Sequence, residues 1–104
     1  MFPSLVPQVA QEVHFVLCKF GSGQAYVETD PLDADRASII RNFIAGEYDH
    51  PISVLACNLA EGRARDVSES IAREIMRFDV ADLTIGTREF LDTILARPVT
   101  STDL

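Results

Sequence analysis

The chain is short of positive charge. Lys and Arg together number 9 against 16 Asp and Glu, which leaves a net charge of −7 and an isoelectric point near 4.6. Gripping a nucleic-acid backbone or an anionic membrane surface takes a cationic face, so the balance argues against both partners. Lys19 is the only lysine; the remaining cations are arginines, the better residue for fixed, bidentate pairing. No apolar run approaches the length of a membrane span. The first residues, MFPSLVPQVAQE, lack a basic region and a long apolar stretch, so a secretory signal is not expected.

Cysteine is equally scarce. Cys18 and Cys57 are far apart and each sits in an apolar run. They read as two buried free thiols of a cytoplasmic protein rather than a disulfide. No further ligand at metal spacing accompanies them, so no zinc is expected. GSGQAY (21–26) misses the spacing of a dinucleotide loop and runs into a strand, not a helix; it reads as a hairpin turn. DPLDAD (30–35) lacks the glycine and distal glutamate of a calcium loop. His14 and His50 stand apart from any Ser or Cys in an arrangement for nucleophilic catalysis. No internal repeat or low-complexity tract occurs. The sequence therefore assigns no catalytic residue, no metal and no cofactor.

What is present is core-forming material. A chain of 104 residues with 47% hydrophobic content is one domain with a real interior. Residues 1–11 read as an extended arm, 12–97 as a single α+β domain and 98–104 as a polar tail. In EVHFVLCKF (12–20), Val13, Phe15 and Leu17 alternate with His14, Val16, Cys18 and Phe20. Both sets are mostly apolar, which predicts a strand covered on both faces or nearly so. AYVETD (25–30) reads as the returning arm of a hairpin.

A helix follows, with Asp30 as N-cap, Pro31 in its first turn, a stripe of Ala37, Ile40, Phe43 and Ile44, and Gly46 as its stop. ISVLACNL (52–59) is a further buried strand. A second helix is predicted from Asp66 to Phe78 on a stripe of Val67, Ile71, Ile75 and Phe78. A third spans 87–96, capped by Thr87. The order is β-β-α-β-α-α: a three-stranded mixed sheet, built as a hairpin plus a right-handed crossover that leaves the second and third strands parallel.

The segment NLAEGRARDVSESIA (58–72) carries the densest polar chemistry. If a buried strand feeds straight into a helix here, free backbone N–H groups suit an anion, and Arg63 and Arg65 could add donors. Asn58, Glu61, Arg63, Arg65, Asp66 and Ser68 are thus the candidate ligand-binding residues. Glu61 or Asp66 would move a proton if the site performs acid–base chemistry. Each also has a structural use. Asp66 or Ser68 can cap the helix, Glu69 can close a capping box, and Gly62 can turn the chain. Asn58 is least accounted for; an amide at a strand end commonly ties down loop backbone.

These residues carry a resemblance. ISVLACNLAEGRARDVSESIARE, with AYVETDPLDADRASIIRNFIAGEYDHP upstream, resembles a group of small uncharacterised bacterial proteins. They share a hydrophobic strand, a phrase like Asn-x-Ala-Glu-Gly, and Arg-Asp-Val-Ser opening a helix. The likeness spans roughly residues 13–77. It implies a bacterial, cytoplasmic protein and transfers no activity, cofactor or catalytic residue. The functional expectation is a small non-enzymatic interaction or adaptor domain, meeting itself as a homodimer or another protein. The alternative is a small-molecule, anion or simple acid–base site at 58–68.

Overall fold

A computed structural model of the chain describes residues 12–78 and 81–96. The 1–11 arm and the 98–104 tail lie outside them. The described residues form an α+β unit in the order β1 (Val13–Phe20), β2 (Gly23–Tyr26), α1 (Arg36–Ile44), β3 (Pro51–Asn58), β4 (Arg63–Asp66), α2 (Ser68–Ile75) and α3 (Ile85–Leu95).

Among the described residues the sheet has four strands, not three, in the order β2-β1-β3-β4. Every hydrogen-bonded pair is antiparallel. The expected mixed sheet is therefore corrected. β2 and β3 do run in the same direction, but β1 lies between them, so they do not pair with each other. The extra strand is Arg-Ala-Arg-Asp (63–66), folded back on β3 so that Asn58 faces Arg63 and Leu55 faces Asp66. Its four residues are all exposed, so it has no apolar alternation to announce it.

The hairpin of β1 and β2 is formed as expected, though its turn is only Gly21–Ser22, with Phe20 opposite Gly23. Gly21 has φ +59° there, a conformation that costs glycine nothing. Along β3 the register skips Ile52 between Leu17↔Ser53 and Cys18↔Pro51, a bulge near the strand's start.

Helix boundaries differ where two caps compete. Asp30 does not cap α1. It closes a 3-10 turn over Pro31–Asp33, accepting the Leu32 N–H at 2.9 Å. Asp35 is the cap, accepting the Ser38 N–H at 3.1 Å and the Ser38 hydroxyl at 2.7 Å. Those bonds hold the Asp35 carboxyl below its usual range, the Ser38 hydroxyl first among the causes. α1 stops after Ala45 with Gly46 at φ +77°, as its sequence predicts. A side chain at Gly46 would also strike the methyl group of Thr84.

α2 begins at Ser68, later than predicted, because Asp66 belongs to β4. Its N-cap position, Val67, makes no side-chain cap bond. Ile71 and Ile75 are buried as expected, whereas Phe78 lies past the helix end and is half-exposed. α3 begins earlier than predicted and is capped by Thr84. Thr87, expected as the cap, is buried and donates its hydroxyl to the Phe43 carbonyl at 2.9 Å.

The core lies between one sheet face and the helices. Val16, Cys18, Val54 and Ala56 from the sheet meet Ile39, Phe43, Ile71, Ile75, Phe90 and Ile94. Phe43 is the hub, with ring centroids 4.8 Å from Tyr48 and 4.7 Å from Phe90. His14 fastens β1 to the segment before α1: its backbone N–H reaches the Ala34 carbonyl at 2.8 Å, and ring Nδ1 reaches the same oxygen at 2.9 Å.

The expectation that β1 is covered on both faces does not survive. Val16 and Cys18 are sealed, but Val13, Phe15 and Leu17 are only half-buried. The two cysteines fall on opposite faces. Cys18 is in the core, where burial and then the Asp49 carboxylate push its thiol pKa up. Cys57, expected to be buried, is half-exposed beside Val13 and Ala64. Both are free thiols.

Candidate functional site

The strand-to-helix corner of the sequence is a β-hairpin, and this redistributes its candidate residues. Asn58, at the end of β3, accepts the Glu61 N–H at 3.1 Å through its side-chain oxygen. The amide closes the loop that Gly62, at φ +67°, then turns into β4. Arg63 follows with its Nε 3.9 Å from the Glu61 carboxylate, and both side chains are well exposed. A pair that open to water contributes little stability.

Arg65 makes the stronger contact, two guanidinium bonds to Glu12 at 3.0 and 3.1 Å. Glu12 is 53 positions away, and no local signal in the sequence points to it. Asn58, Glu61, Arg63 and Arg65 line one shallow pocket of about 290 Å³ with Glu12, Ala56 and Ala64.

Asp66 and Ser68 are not part of that pocket. Asp66 accepts the Ser68 N–H at 2.8 Å, a local turn leading into α2. Ser68 is fully buried, and its hydroxyl accepts the Val54 N–H at 2.8 Å. It thereby satisfies a β3 donor rather than a ligand. Glu69, the expected partner of a capping box, instead accepts from Arg73 Nε at 3.0 Å.

Asp66 borders a second, open cleft of about 490 Å³ between α1 and α2. Arg36 spans it, donating to Glu74 at 2.8 Å and to the Ser70 hydroxyl at 2.6 Å. The charged groups of both depressions are thus largely matched to each other. Among the described residues, no cluster of His, Cys, Asp or Glu could hold a metal ion. No buried side-chain polar atom there is left without a partner.

The second candidate surface is the face of the sheet that no described helix covers. The registers align Leu17 with Tyr26 across one pair and Val13 with Cys57 and Phe15 with Leu55 across the other. All these side chains share one face, because alternate residues of a strand point the same way. Phe15 and Tyr26 meet edge to face at 6.3 Å, and Tyr26 is 49% exposed. Beside them opens a depression of about 620 Å³ lined by Phe15, Tyr26, Val27, Glu28, Thr29 and Asp30.

The Val13/Phe15/Leu17 alternation was visible in the sequence. That nothing described would cover it was not, because a half-buried apolar face and a fully buried one carry the same residues. No described helix is long and apolar enough to cross a membrane. Compared with protein families, with curated proteins and with solved structures, the chain matches none of them.

Proposed function

We propose that this chain is a small, non-enzymatic protein-interaction domain of the bacterial cytoplasm, and that the open sheet face is its contact surface. A single observation carries the reading. All three described helices contribute to the core on one face of the sheet, while Val13, Phe15, Leu17, Tyr26, Leu55 and Cys57 remain apolar on the other. Of these only Tyr26 is exposed and the others are partly buried, but a run of partly exposed apolar side chains outside the core is the kind of surface a partner can cover. A second copy is the simplest partner, since a face laid on its own twin is self-complementary by symmetry. The net charge of −7 weighs against nucleic acid.

The test is light scattering on the native chain and on Phe15→Glu from about 10 µM to about 1 mM, a range in which weak self-association becomes measurable. A reversible dimer lost in Phe15→Glu supports the proposal. A strict monomer throughout, together with identical behaviour of the variant and no partner recovered by the native chain, refutes it. The pocket of Asn58, Glu61, Arg63 and Arg65 supports a second reading as a small-anion site, favoured only by the meeting of those four side chains. Inorganic phosphate titrated against the amide signals of 58–65 decides that alternative.

A further inference from the structure

Phe78 closes the apolar stripe of α2 in the sequence, yet it lies past the helix end and is 51% exposed. A single exposed phenyl ring is ordinary; one that faces other apolar groups across a gap is not. Ala37, Ile40 and Ile44 follow one another at spacings of three and four, so they share one face of α1. With Phe78 as the opposite wall they line a groove of about 360 Å³. Small-ligand sites run from roughly 300 to 1,000 Å³ and are apolar with a few placed polar groups.

Two charged side chains complete the lining, Arg41 and Glu74. They are not equivalent. Glu74 accepts from Arg36 Nε at 2.8 Å, so its charge is matched by a group outside the groove. Arg41 forms no ion pair among the described residues. Its guanidinium makes one hydrogen bond, to the Ser38 hydroxyl at 3.0 Å. Asp35 stands behind that hydroxyl, with its two oxygens taken up by the Ser38 N–H and O–H. A guanidinium carries five N–H donors, so Arg41 keeps most of its capacity. The groove thus offers apolar walls and one cation with donors to spare, in a chain whose net charge is −7.

The geometry points to a binding site for a small organic carboxylate, its apolar body laid between α1 and Phe78 and its carboxylate on Arg41. The guanidinium fork matches a carboxylate through two parallel bonds. A neutral analogue loses that pairing, and an amine meets a like charge. A bare inorganic anion leaves the apolar walls unused. The helices fill the core on one side of the sheet, and the open sheet face lies on the other. Binding in this groove is therefore independent of the contact surface, and its failure leaves that reading standing.

The test titrates phenylacetate into the full chain up to about 20 mM, a range in which a weak small ligand saturates. The amide signals of Ala37, Ile40, Arg41, Ile44 and Phe78 are followed by NMR. Phenylacetamide and phenethylamine are titrated alongside. The expected result is saturable shifts at those five residues, with the carboxylate about fivefold tighter than the amide, the scale of one solvent-accessible ion pair. The amine should be weaker than either. Arg41→Gln should bring the carboxylate down to the level of the amide, and Ile44→Ser should weaken both.

No saturable shift at these residues overturns the inference. So does equal affinity for carboxylate and amide in the native chain, a tighter amine, a carboxylate preference that survives Arg41→Gln, or binding that ignores Ile44→Ser. Should Arg41→Gln fail to fold, salt decides in the native chain. An advantage of carboxylate over amide that shrinks toward nothing at about 500 mM NaCl supports the pairing, because exposed charges are screened there. An advantage that salt leaves unchanged overturns it.

Discussion

The two faces of the sheet are built from similar residues and live in different surroundings. On one, Val16, Cys18 and Val54 have no exposed area and Ala56 has 1%. On the other, Phe15, Leu17 and Leu55 are equally apolar and half-buried. Composition does not decide which face is the core; the placement of the helices does. α1, α2 and α3 bring apolar stripes that fill one side and leave the other to whatever else the chain or its partners supply.

The sharpest way to break this comparison is to remove one ring from each side. Phe43→Ala empties the hub against Tyr48 and Phe90 and should cost about 3–5 kcal/mol. Phe15→Ala removes a partly buried ring that meets Tyr26 and should cost about half as much, about 1–2 kcal/mol. Urea denaturation midpoints with an unchanged slope measure both. Comparable losses would mean that the open face is a second core. Next in size is Ser68→Ala, which leaves the buried Val54 N–H without its acceptor and should cost about 1–3 kcal/mol. A neutral result would show that another acceptor reaches the Val54 N–H.

The smallest effect concerns pH. Asp35 has its carboxyl pKa lowered by the Ser38 bonds, so its contribution is present above the unfolded carboxyl value, near 4. It is lost as pH falls through the lower folded value, because the unfolded chain binds the proton first. Asp35→Asn should therefore flatten the decline of thermal stability below about pH 4 while leaving any self-association untouched. A parallel decline in both chains would remove Asp35 from the account.

Much of this arrangement was legible in the residues. The β1–β2 hairpin follows from GSG between apolar runs, and the stop of α1 from Gly46. The buried stripe of α2 follows from Ile71 and Ile75 at helical spacing. What was not legible had no pattern to read. Arg63–Asp66 pairs through backbone bonds alone, and its charged side chains look like a loop. With that strand hidden, β3 seemed to run straight into a helix, and Asp66 and Ser68 seemed to join Asn58, Glu61, Arg63 and Arg65, which do share one pocket. The structure instead assigns Asn58 to a loop, Arg65 to Glu12 and Ser68 to the core. A side chain's partner across 53 residues is set by topology, and topology was the part misread.

β4 has one further consequence. Among the described residues it is the outer strand on its side of the sheet, four residues long, with Arg63, Arg65 and Asp66 all exposed. A short, charged outer strand is a poor template for another strand to dock against. Growth of the sheet by stacking molecules side by side along that border is therefore blocked, and with it one route to fibrils. A partner that meets the sheet on this side would have to use its face rather than its border.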